Sequence, residues 1–257
     1  MRGSWIVGAA ALLGSAEASP WNRDQGELLT ISRYGYYEAE ATERRFTQSS
    51  SDFYAEYGAT DRLMAGAKIS YVWQSLEAAT LSGEGAPLPL DALSGFAEAS
   101  FFTQAELRRW DGGVLSVMAS AALPTKTASR IGTDRAFARD ARAGISVLGG
   151  LDRGPLFATG RLGTEVSLGD DADLLRTEVT GGWHAGRRAM LMLEVYDTRA
   201  LTAPGPDGAD YDLTQAAPSL VLRVRERWRL QVGATVDLAG RNVDLGTGGF
   251  VALWVGE

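Results

Sequence analysis

Residues Tyr57 to Trp73 read YGATDRLMAGAKISYVW, and from Leu63 onward the stretch alternates. Leu63, Ala65, Ala67, Ile69, Tyr71 and Trp73 are apolar, while Gly66, Lys68 and Ser70 between them are small or polar. Successive side chains of a β-strand point to opposite faces, so this segment carries one apolar face and one polar face. Alternation alone fits any half-buried strand. Length is more selective: about eleven residues in register match a tilted membrane-crossing strand, whereas strands of soluble sheets usually run to about five or six. A tight turn at Thr60-Asp61 precedes the strand, and a long connection over residues 74–94 is expected after it. Short turns at one end and long loops at the other are how transmembrane β-barrels are built.

The same rhythm continues in both directions, without a sequence repeat of fixed period. Strands are expected over residues 27–40, 52–59, 63–73, 95–109, 114–123, 138–148, 156–168, 173–183, 189–197, 213–224, 228–238 and 248–255. That is about twelve, an even number as bacterial barrels require. The cleanest alternation runs from Trp228 to Leu238: Trp228, Leu230, Val232, Ala234, Val236 and Leu238 against Arg229, Gln231, Gly233, Thr235 and Asp237. Asp111-Gly112-Gly113 is a hairpin signal. Three places resist the pattern: Arg33 interrupts the Leu29, Ile31 face, Phe96 and Phe102 break the parity of their strand, and Pro218 sits inside one. Links at Thr60, Asp111, Asp152, Ala185 and Arg225 are short; those at Thr42, Gln74, Thr125, Asp170, Arg199 and Gly240 fall at the other end and most are expected to be long, Gly169 to Ala172 alone being short for an outer loop. With the mature N-terminus in the periplasm, the first five fall on that side.

Composition agrees. The 257 residues include 31 glycines against 8 prolines, and 45% of the chain is hydrophobic without long helical periodicity, which points to an all-β fold. Met1-Arg2, the apolar run Trp5 to Leu13 and Ala16-Glu17-Ala18 read as a secretory signal peptide over residues 1–18, leaving a single barrel over 19–257. No Cys is present, so disulfides, thiol catalysis and thiolate metal sites are excluded. A net charge of −7 argues against nucleic acid as a partner. The expected partners are outer-membrane lipid, the barrel-assembly machinery and a small-molecule solute, with no cofactor.

Indole rings gather where hydrocarbon meets headgroups. Trp73 at an outer strand end, and Trp183, Trp228 and Trp254 at inner ends, are expected to form such a girdle on the lipid face. Near the C-terminus, Thr247, Gly249, Ala252 and Trp254 resemble the signal that the assembly machinery recognises, although Val255-Gly256-Glu257 come after the aromatic. The run from Glu56 to Leu63 (EYGATDRL), and Leu123-Pro124-Thr125 at a strand end, resemble an outer-membrane barrel family associated with the meta-pathway of phenol degradation. Chain length and the Trp21-Asn22 start are similar too. The resemblance implies passage of small, often aromatic, compounds.

By parity the interior receives Glu56, Lys68, Glu98, Glu106, Arg108, Arg142, Arg161, Glu165, Arg176, Glu178, Glu194, Arg223, Arg229 and Asp237. An Arg or Lys facing lipid near the midplane costs about 2–4 kcal/mol, so a lumen is where such residues belong. They line either a polar conduit or a closed, salt-bridged interior; eight strands are filled by side chains, sixteen leave a channel, and about twelve lies between. Enzyme chemistry is not assembled. The one histidine, His184, falls at an inner turn away from any outer-rim Ser or Asp, and with no Cys it leaves no transition-metal site. Asp170, Asp171 and Asp173 read as a solvated acidic loop rather than a Ca²⁺ site. The expectation is a transmembrane antiparallel barrel giving passive passage to small solutes; the alternative is a structural or envelope-interaction barrel with a filled interior.

Overall fold

Period-2 alternation makes each segment a strand with one wet and one apolar face, and closing the sheet on itself satisfies both faces at once. In the computed structural model, which describes residues 6–7, 19–41, 44–78, 88–124, 140–206 and 210–256, this is what the chain does. Twelve antiparallel strands pair each with the next in chain order, and the last pairs with the first, giving a closed barrel. They are β1 (Leu28–Ala41), β2 (Arg44–Thr60), β3 (Leu63–Ala78), β4 (Leu88–Trp110), β5 (Gly113–Pro124) and β6 (Arg142–Arg153). The second half is β7 (Leu156–Ser167), β8 (Leu174–Ala185), β9 (Ala189–Ala200), β10 (Asp212–Arg225), β11 (Trp228–Arg241) and β12 (Gly246–Val255). Residues 6–7, inside the expected leader, make a two-residue parallel pairing with Val243–Asp244, in a sheet separate from that of the barrel. The rest of residues 1–18 lies outside the described residues.

One end of the barrel carries the two- and three-residue turns 61–62, 111–112, 154–155, 186–188 and 226–227. At Asp111-Gly112 the hairpin is as expected, with Gly112 at φ 67°, a conformation that a Cβ would oppose. The connections at the opposite, loop end are mostly longer, with two differences from expectation. The link at Thr42 is only residues 42–43, and the 74–94 connection shrinks to residues 79–87. Strand pairing runs further than the apolar alternation does, up to Arg44↔Ala78 and Ala78↔Leu88. Strands β2, β3 and β4 are therefore 17, 16 and 23 residues long, against 12 for each of β5 to β9. One wall of the barrel rises past the other at the loop end.

The outward face is a belt of exposed apolar side chains, among them Leu63, Ile69, Val147, Leu162, Val179, Leu191 and Val232. Bulges account for the irregular strands. Tyr71 pairs with Phe96 and Ser70 with Glu98, so Ala97 is the extra residue. Phe96 is thereby outside at 50% exposure, and Ala97 is buried. Pro218 keeps its place opposite Leu193 on β9, while on the other side the β10–β11 pairing passes from Ala216↔Val236 to Ser219↔Gly233 and leaves it without a partner on β11.

The interior is not uniformly polar. Tyr37, Ala39, Phe46, Val72, Ala97 and Leu213 form an apolar cluster toward the loop end. Met64, Met118 and Leu148 form a second, and Leu29, Ile31, Tyr54 and Ala252 a third nearer the turns. The parity of β1 is thus resolved: Leu29, Ile31 and Arg33 all point inward.

Candidate functional site

The lumen is built in tiers by the inward positions of successive strands. At the level of the apolar cluster, toward the loop end, lies a set of hydrogen bonds. Gln74 donates to Gln48, and Asp237 accepts from the Tyr37 hydroxyl, from Gln215 and from the Gly246 amide. Next comes the charged layer. Arg176 meets Glu165 at 2.8 Å, and Arg161 meets Glu178 at 3.2 Å while donating to the Ser146 hydroxyl at 3.0 Å. Arg142 lies 3.4 Å from Asp171 and donates to the Ala172 carbonyl at 3.0 Å. The acidic loop at residues 170–173 therefore supplies a lumen counter-ion. Among the described residues no cluster of His, Cys, Asp or Glu is arranged for a metal.

On one wall, Tyr54 on β2 stacks over β3 on Phe102 of β4, with ring centroids 5.9 Å apart and planes 17° apart. Tyr54 also gives its hydroxyl hydrogen bond to Glu56. Arg33 places its guanidinium 3.9 Å from the centroid of the Phe250 ring, a cation–π contact.

Two cavities lie in series along this interior. The upper, of about 80 Å³, is lined by Lys68, Glu98, Ser100, Phe102, Arg142, Glu165 and Arg176 among others. The lower, of about 210 Å³, is lined by Leu29, Ile31, Glu56, Phe157, Glu178, Met190, Met192, Glu194, Tyr196 and Trp254. Tyr54 and Arg161 line both, and mark the waist between them.

The floor of the lower cavity is the stretch ahead of β1. Ser19, Pro20, Trp21 and Arg23 enter the barrel from the turn end. Gln104 donates to the Ser19 carbonyl at 2.8 Å and to Asn22 Oδ1 at 3.0 Å, and Ser116 donates to the Pro20 carbonyl at 2.7 Å. Arg23 is bonded to Glu56 at 2.7 Å. Further out, the Gly26 amide donates to the Gly58 carbonyl and the Gly58 amide to the Glu27 carbonyl. A side chain at Gly150 would collide with the Trp21 ring, 2.5 Å from its Cβ position.

Of the side chains expected in the lumen, Lys68, Glu98, Arg142, Arg161, Glu165 and Arg176 converge on the upper cavity, and Glu178 and Glu194 on the lower. Glu106 points inward near the turn end, where Arg109 pairs with it at 2.6 Å. Asp237 belongs to the hydrogen-bonded set toward the loop end. Arg229 and Arg223 oppose one another on the inner face at the turn-end rim, where Arg223 is exposed.

Arg108 is not in the lumen. A bulge at Leu107 makes Glu106 oppose Ser116 and Arg108 oppose Leu115, which faces outward, so Arg108 turns out and Arg109 takes the inward place. Trp254 is not in the girdle either. It pairs with inward Ile31, donates its indole N–H to Gln231 at 3.1 Å and packs beside Leu29 and Tyr54. Trp110 occupies the vacant place: 44% exposed, it sits at the turn end with Trp183 and Trp228, while Trp73 lies toward the loop end beside Tyr71 at 4.6 Å. In the terminal strand Ala252 is buried inside with Trp254, and Gly249 alternates to the outer side.

Parity missed the N-terminal stretch altogether, because Ser19 to Asp24 is not a strand and its place is set by Gln104, Ser116 and Glu56. The inward aromatics carried a readable signal. Phe102 opposes Gly66, Phe157 opposes Gly182 and Phe250 opposes Gly233, and in each pair the ring covers the glycine.

A comparison of the sequence with known protein families and with curated proteins finds no match in either. Solved structures do match. The COG4313 outer membrane channel from Pseudomonas putida F1 aligns with a TM-score of 0.72 at 11% identity, covering 95% of this chain and 100% of that one. The NanC porin aligns with a TM-score of 0.55 at 9% identity, over 88% of this chain and 98% of that one. The translocator domain of the autotransporter NalP from Neisseria meningitidis gives 0.52 at 13% identity, over 96% and 92%. The fold is that of an outer-membrane barrel. A channel, a porin and a translocator domain share it, so function has to be argued from the lumen.

Proposed function

We propose that the chain is exported, loses residues 1–18, is inserted into the outer membrane by the barrel-assembly machinery, and gives small solutes passive passage. The observation that carries this is the pair of cavities in series, of about 80 and 210 Å³, inside a closed wall. A filled barrel would place side chains there. The lining holds both signs of charge, which carries polar solutes, and the rings of Tyr54, Phe102, Phe157 and Trp254, which suit aromatic ones. The similarity in fold to the COG4313 outer membrane channel supports the same reading. So does the resemblance of residues 56–63 to the family associated with phenol degradation.

A structural barrel is the second reading. It is favoured by the Tyr54–Phe102 stack and the N-terminal stretch, which narrow the path at two levels. Planar-bilayer conductance of the mature chain, together with liposome swelling in sugars, amino acids and aromatic acids, separates the two. Discrete openings and solute-dependent swelling are expected. A folded barrel that neither conducts nor swells liposomes would leave the structural reading.

A further inference from the structure

The lower cavity holds one group that the ion pairing of the lumen leaves over. Glu194, on β9, is 8% exposed and lines the cavity wall. Its Oε1 accepts a hydrogen bond of 2.8 Å from the Tyr196 hydroxyl, while its Oε2 has no hydrogen-bond partner among the described residues. The other two carboxylates of this cavity are answered directly: Glu56 by Arg23 at 2.7 Å and Glu178 by Arg161 at 3.2 Å. Three carboxylates and two guanidinium groups line the cavity, and Arg33 acts on Glu194 through space without a hydrogen bond to its Oε2.

An unsatisfied oxygen on a buried carboxyl group is costly, and a charged donor satisfies it best. The terminal torsion of a glutamate is soft, so either oxygen can be turned to the cavity. The surroundings are apolar and polarizable. Met190 and Met192 share the inner face of Glu194's strand, and Ile31 and Trp254 form the wall beside them. Thioethers and an indole accept the edge or face of an aromatic ring. At about 210 Å³ the space falls below the range of roughly 300–1,000 Å³ typical of drug-sized pockets, which limits the occupant to a single ring.

We propose that the lower cavity is a binding station for a one-ring organic cation, with a protonated amine on Glu194 and the ring against Met190, Met192 and Trp254. This rests on the reading of the lumen as a solute path. It makes Glu194 a specificity-determining residue, since neutral and anionic analogues of the same shape leave its carboxyl unanswered or repelled.

The test is a titration of the full folded chain in detergent with phenethylamine, 2-phenylethanol and phenylacetate, following tryptophan fluorescence, because Trp21 and Trp254 line the cavity. Phenethylamine is expected to bind about ten-fold or more tightly than either analogue, and Glu194→Gln to lose about the same factor while keeping heat-modifiable gel mobility. Equal binding of the three compounds, or phenethylamine binding unchanged in Glu194→Gln, overturns the proposal. Should that variant fail to fold, the ranking of the three compounds on the unaltered chain decides by itself. Amine-selective binding without conductance would remove the passage reading and leave the station. Conductance without amine preference would do the reverse.

Discussion

The lumen's aromatic rings owe their positions to glycines. Phe102, Phe157 and Phe250 each lie over the glycine directly opposite on a neighbouring strand, and at Gly233 an added Cβ would stand 2.5 Å from Phe250 Cζ. The missing side chain lets the ring lie flat on the wall, covering the bare backbone and leaving the lumen partly open. Gly181 and Gly182 on β8 test this one residue apart. Gly182 faces Phe157, whereas a Cβ at Gly181 meets nothing within 4 Å. Gly182→Val is expected to cost about 1–3 kcal/mol through overpacking. Gly181→Val is expected to be neutral or slightly stabilising, since a β-branched residue suits a strand. Urea unfolding in lipid vesicles measures both; equal losses would mean that the two faces of β8 are exchanged.

Among the elements, the bulges and the N-terminal stretch do most to shape the conduit. Each bulge in β4 flips the parity of the residues beyond it, which sends Ala97 in, Phe96 out, and exchanges Arg109 for Arg108 in the lumen. The stretch Ser19 to Arg23 has no strand partner and is held by side chains of the wall. It forms a floor under the lower cavity rather than a packed core. Replacing Pro20-Trp21-Asn22-Arg23 by a Gly/Ser sequence should therefore raise single-channel conductance roughly two-fold or more, because the obstruction at the turn end is removed. Glu56 keeps the Tyr54 hydroxyl in that variant, so the barrel is expected to fold. Unchanged conductance would place the limiting constriction elsewhere, at the Tyr54–Arg161 waist.

For the whole molecule the controlling fact is the outward belt. Ile145, Leu162, Val179, Leu193 and Val232 are about half exposed or more, on strand after strand, with exposed tryptophans at the turn end of β4, β8 and β11 and toward the loop end of β3. In water such a surface would associate; in a bilayer it is the stabilising solvent contact. The chain over residues 19–257 is expected to fold only in detergent or lipid, with a folded form that migrates differently from the heated one on a gel. A monodisperse, folded species in plain buffer would overturn the membrane reading.

The amino-acid sequence by itself determined the class of fold and the side of most residues. Alternation is a local property: at Leu63–Trp73 and Trp228–Leu238 alternate positions face out and in as the period of the strand requires, although Met64 and Val72 put apolar side chains on the inner face. The even strand number, the Asp111-Gly112 turn and most of the charged lining were legible in the same way. Tertiary structure alone decided the rest. A bulge depends on the partner strand's register, so Ala97, Arg108 and Arg109 could not be placed from their own neighbours in the chain. Trp254 turns inward because barrel closure pairs it with Ile31 at the far end of the sequence. The extent of β3 and β4 at the loop end, the ion-pair partners and the seating of Trp21 in the lumen are likewise long-range. Each is settled by which strands meet across the closed wall, and period-2 patterning carries no information about that.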